Sequence, residues 1–152
     1  MFPFTITYSR RLINKLSDND VKGALDKIKK ILEDKTAEDV EIKGNELTFS
    51  SSFFGHRWNW NIMVPIDKGK ITLTINNEKT ILSYKIFMYR LFIITAIMST
   101  FIGLMSGTID VAVVFFSWLF GGNWAIGVLR HNGLIGDIAE KLSIKSINER
   151  GA

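Results

Sequence analysis

The chain has 152 residues, 19 Lys and Arg against 15 Asp and Glu, and no cysteine. That length holds one modest domain, or a small domain with an attachment, and the lack of cysteine rules out disulfides, thiol catalysis and zinc–thiolate sites. The slight positive balance shows no basic stripe interleaved with aromatics, so no nucleic acid partner is expected.

The first residues, MFPFTITYSRR, do not read as a signal peptide: the apolar stretch is short and the basic residues follow it. Phe2, Phe4, Ile6 and Tyr8 alternate with Pro3, Thr5 and Thr7, the pattern of a half-buried strand. A turn of helix is expected over Arg11–Leu16. The stretch SDNDVKGALDKIKKILEDK is the clearest helix, with Val21, Leu25, Ile28 and Leu32 on one face and Ser17 or Asp18 as its cap.

The period then changes to two. DVEIK and ELTFSSSF flank Gly44-Asn45, a two-residue hairpin turn. RWNWNIMV alternates as a strand, DKG turns into KITLTI, and NNE turns into KTILSYKIF. The expected fold is α+β: an antiparallel sheet of about 5–6 strands with one packed helix, followed by a two-helix transmembrane hairpin. Residues 1–85 form the soluble part, with 14 Lys and Arg and 11 Asp and Glu.

Charge then disappears. Leu91–Ile109 and Val111–Leu129 are each 19 residues without a charge, interrupted by Asp110. At ~1.5 Å per residue each reaches roughly 28 Å, one hydrocarbon thickness. Residues 86–130 therefore read as a hairpin with spans at about 88–107 and 110–129. Arg90 and Arg130 flank it as interface anchors, and Tyr84, Tyr89 and Trp124 suit interfacial positions. All basic residues lie on the side of the termini, which places both termini in the cytoplasm and the chain in the inner membrane.

Within the spans, Ser99, Gly103 and Gly107 form one column of small residues at helical spacing, and Ser117, Gly121 and Ala125 another. Small side chains let helices approach closely in lipid, where hydrophobicity does not drive association. Asn123, in GGNW, places an amide inside the apolar layer, as an interhelical hydrogen bond or a pore lining, with packing of Trp124 on the glycines as a third account. The tail, residues 131–152, carries a stripe of Leu134, Ile135, Ile138 and Leu142 that lies on the membrane surface or docks on the sheet.

No phosphate-binding glycine loop or nucleophile elbow occurs, and His56 and His131 have no ligand partners at metal spacing, so no metal, cofactor or catalytic residue is expected. FFGHRWNW is the one suggestive soluble stretch. His56, Arg57, Trp58 and Trp60 there suit an anion or nucleotide clamp, against the plainer reading of a loop feeding core tryptophans. The expectation is a non-enzymatic membrane protein with a cytoplasmic sensing or docking domain. It assembles with itself through its hairpin, with a pore or membrane perturbation supplied by several copies. The alternatives are an anchor or accessory subunit of a larger membrane complex, and a membrane-tethered receptor or enzyme. Its expected partners are the bilayer, further copies of itself, and another membrane or cytoplasmic protein.

Overall fold

The computed structural model describes residues 4–13, 16–51, 66–76 and 79–148. In chain order they form β1 (Thr5–Arg11), α1 (Asp18–Asp34), β2 (Glu38–Lys43), β3 (Glu46–Ser50), β4 (Lys68–Asn76), β5 (Lys79–Phe87) and α2 (Tyr89–Ser106). Then come α3 (Ile109–Phe116), a π turn (Ser117–Gly121) and α4 (Gly122–Asn148). The class is α+β, as the periodicity change indicates. All strand pairs are antiparallel and the five-stranded sheet runs β1-β5-β4-β3-β2.

Alternation decides the two faces. Ile71 and Leu73 of β4 and Leu82, Tyr84 and Ile86 of β5 point to one side, where α1 buries Val21, Ala24, Leu25, Ile28 and Leu32. Ser17 caps α1 through a capping box with Asp20, whose backbone N–H donates to the Ser17 hydroxyl. Lys29 and Glu33 pair along the exposed face at 3.7 Å. The helix ends on Thr36 in the left-handed region (φ 67°), where the Ala37 N–H closes on the Leu32 carbonyl at 2.9 Å.

Two local expectations are corrected. No helical turn begins at Arg11, because β1 runs through it and the Leu12 N–H continues the pairing onto the Thr80 carbonyl at 2.9 Å. Lys68 and Gly69 belong to β4 rather than to a turn, since both pair in register with β3 and β5. The strand expected over 57–64 lies outside the described residues.

The apolar segment forms two long helices. The first, Tyr89–Ser106, starts two residues after β5 ends. Gly107 then takes a left-handed φ of 69°, which glycine adopts without a Cβ penalty, and turns the chain into α3. The second apolar helix does not stop near residue 129. It runs through the π turn as one rod over Ile109–Ser143, 35 residues or roughly 52 Å. Its far half lies on the same sheet face as α1: Leu134, Ile135, Ile138 and Leu142 join the core, which settles the docking of that stripe. The far half of α4 thus adds to the cover that α1 gives the sheet.

Candidate functional site

The sheet–hairpin junction is built around Asp67, 9% exposed, just before β4. Met88 occupies the N-cap position of α2 and offers no side-chain cap. The Asp67 carboxylate takes that place from a distance: its Oδ2 accepts from the backbone N–H of Tyr89 at 2.5 Å and of Arg90 at 3.0 Å. A carboxylate there also complements the positive end of the helix dipole. The Arg90 guanidinium returns to Asp67 Oδ1 at 3.5 Å and donates to the Ser51 carbonyl at 3.3 Å. Backbone bonds from Met88 N–H to the Phe4 carbonyl and from Asp67 N–H to the Phe87 carbonyl complete the joint.

Aromatic rings carry the contact onward into the hairpin. Phe4 stacks on Tyr89 at 5.5 Å and meets Phe92 edge-on at 5.0 Å. Phe92 in turn meets Phe116 at 5.6 Å and Phe120 at 5.5 Å. Phe92 of α2 thereby links Phe4, just before β1, to the second apolar helix.

A second joint holds α4 to the sheet. The Tyr8 hydroxyl donates to the Val128 carbonyl at 2.9 Å, Tyr84 Oη and His131 Nδ1 are 2.9 Å apart, and Arg10 donates to the Asn132 side-chain oxygen at 2.5 Å. Tyr84 is fully buried, so it is a core residue and not an interfacial one. Burial raises its pKa well above the usual tyrosine value, with the Tyr8 hydroxyl adding to the effect, and burial raises Tyr8 as well.

The small columns occupy different surroundings. Ser99 is 3% exposed and, with Thr95, makes the buried stripe of α2. A Cβ added at Gly103 would stand 2.6 Å from the Ala112 Cβ, so α2 and α3 touch there within one chain. Gly107 serves the turn, with open space around its Cα. Ser117 and Ala125 are exposed, and a Cβ at Gly121 meets nothing within 4 Å, so the second column faces out of the monomer. The Asn123 amide donates to the Leu119 carbonyl at 2.6 Å, within its own helix at the π turn.

Of the anchors, Arg90 belongs to the Asp67 joint, and Arg130 sits half-buried on α4 beside the buried His131. His56, Arg57, Trp58 and Trp60 lie outside the described residues. Among the described residues no group of His, Asp or Glu is placed to hold a metal ion. The residue pattern gave no sign of Asp67 as a cap, because its partner is 22 residues away. The α4 joint did leave a sign: Trp124, Val128, His131, Ile135, Ile138 and Leu142 recur at alternating steps of four and three. Comparisons with protein-family models, with curated proteins and with solved structures found no match.

Proposed function

We propose that the chain is an integral membrane protein. Its two apolar helices cross the bilayer as a hairpin, and its α+β domain sits on the cytoplasmic face as a docking or sensing module. One observation carries this reading. The apolar windows of the two helices are only 11% and 6% buried, while the core is assembled elsewhere. Leu104, Met105, Ile109, Trp118 and Leu129 are each more than 70% exposed. A helix buried in a soluble core keeps such side chains covered; in lipid they need no cover.

The hairpin is closed on itself at Gly103–Ala112, which leaves the Ser117, Gly121 and Ala125 column as the face for a second copy. Assembly through that face without a conduit is favoured over a pore. The hydroxyls of Thr95 and Thr100 and the amide of Asn123 donate to carbonyls one turn back in their own helices, so they offer water little lining. That same economy of polar groups suits the second reading, an anchor for a larger membrane complex. Extraction and crosslinking test both. The chain should stay with membranes in alkaline carbonate and leave only with detergent, and a crosslinked homodimer should form in membranes. Release by carbonate would remove the membrane reading; a strictly monomeric membrane form would leave the anchor.

A further inference from the structure

The sheet face opposite the helices carries a cleft of about 420 Å³ with charges of opposite sign on its two sides. Asp39 and Glu41 of β2 form one rim, Lys68 and Lys70 of β4 the other, with Thr48 of β3 between them and Phe87 at one end. The register sets this up: Glu41 pairs with Thr48, Thr48 with Lys70, and Lys68 with Phe87. Two strand spacings, about 9.6 Å, separate the backbones of the rims. The ion pairs at the rims do not bridge it, since Glu41 joins Lys43 at 2.8 Å along β2 and Lys70 joins Glu46 of β3 at 2.7 Å. Asp39 is held by the Ser50 hydroxyl at 2.7 Å at the irregularity in β2, in a left-handed φ of 48° that Asp tolerates.

The cleft lies at the end of the sheet that feeds the hairpin. Lys68 and Phe87 are the last paired row of β4 and β5, and α2 begins at Tyr89. On the membrane reading proposed above, which this inference requires, that row faces the headgroup layer. We propose that the cleft binds the zwitterionic headgroup of an aminophospholipid of the same bilayer. Lys68 and Lys70 meet the phosphate, and Asp39 and Glu41 take the primary ammonium as a donor. Phe87 lies toward the glycerol and acyl chains. A purely anionic headgroup would leave the two carboxylates facing a partner of like charge. A choline headgroup has no N–H to donate to them, so charge-assisted hydrogen bonds select the primary amine. The volume is in the range of small-ligand sites, ~300–1,000 Å³.

Native mass measurement of the detergent-solubilised full chain tests this. Phosphatidylethanolamine, phosphatidylcholine and phosphatidylglycerol with identical acyl chains are supplied at equal concentration. Phosphatidylethanolamine adducts should exceed the other two by about tenfold, 1.4 kcal/mol. Asp39→Asn with Glu41→Gln should abolish the preference for the amine while keeping phosphate binding. Lys68→Gln with Lys70→Gln should weaken all three. Circular dichroism of both double variants confirms that the sheet persists, and Asn keeps the backbone that Asp39 adopts. Equal binding of the three lipids, an unchanged preference in the Asp39 and Glu41 double variant, or undiminished binding in the Lys68 and Lys70 double variant overturns the proposal. Displacement of the lipid by soluble phosphoethanolamine at equal concentration overturns its lipid source. Carbonate release of the chain is a separate result: it removes the membrane reading itself, whereas a membrane-embedded chain without lipid preference removes only this inference.

Discussion

Asp67 acts as the N-cap of a helix it does not belong to. The two N–H groups it satisfies at the start of α2 would otherwise have no side-chain cap, since Met88 offers none. Asp67→Ala should therefore lower the thermal midpoint of the detergent-solubilised chain, with a loss of about 1–2 kcal/mol. Asp67→Asn keeps an acceptor and should cost less than half of that; equal losses would show that charge, not capping, is what matters. Thr36 is the opposite case, a β-branched residue forced to positive φ to close α1. Thr36→Gly should stabilise the chain by about 1 kcal/mol, read from the same melting curve. Tyr84 has a pH signature. Its folded pKa lies above the unfolded one, so at pH above 10 the unfolded state has released a proton that the folded state retains, and stability falls as pH rises. Below pH 10 the contribution is complete. Tyr84→Phe should flatten this alkaline decline while costing about 1–3 kcal/mol at neutral pH through the lost His131 contact.

At the scale of elements, the two small columns separate contacts within a chain from contacts between chains. Gly103→Leu places a side chain against Ala112, where even a Cβ stands at 2.6 Å, and should splay α2 from α3 in the monomer. Gly121→Leu meets open space in the monomer, so it should leave the hairpin intact and change only assembly. A double cysteine crosslink across the hairpin reads the first effect and crosslinking between chains reads the second. Both variants should still insert, since Leu partitions into the bilayer better than Gly. Strand and helix periodicity made most elements legible: the α1 face, the Gly44-Asn45 hairpin and the two apolar helices all follow from residue spacing. The length of α4 was less plain. Gly133 and Gly136 read as weak points of an isolated tail helix, yet packing on the sheet outweighs the ~1 kcal/mol that a glycine costs.

At the scale of the molecule, the sheet and the apolar helices are joined twice. One joint is the Asp67 cap at the head of α2; the other is α4 itself, which runs from the apolar segment onto the sheet and is pinned by Tyr8, Tyr84 and Arg10. The Asp67 joint left no local pattern, and the α4 joint left only the four-and-three stripe of one helix face, because the partners in each lie 22 to 122 positions apart. Two hydrogen-bonded joints connect the sheet to the hairpin, which is what a headgroup cleft at the β4–β5 end requires.

The central claim is that the hairpin crosses a membrane and the sheet stays on the cytoplasmic side. The natural absence of cysteine gives a direct measurement. Thr108→Cys places one thiol in the turn between α2 and α3, and Lys43→Cys places one on the exposed end of β2. A membrane-impermeant maleimide added to intact cells should label Thr108→Cys at once and Lys43→Cys only after the membrane is permeabilised. Labelling of Lys43→Cys in intact cells with Thr108→Cys protected would invert the topology, and equal labelling of both would contradict a hairpin that spans the bilayer.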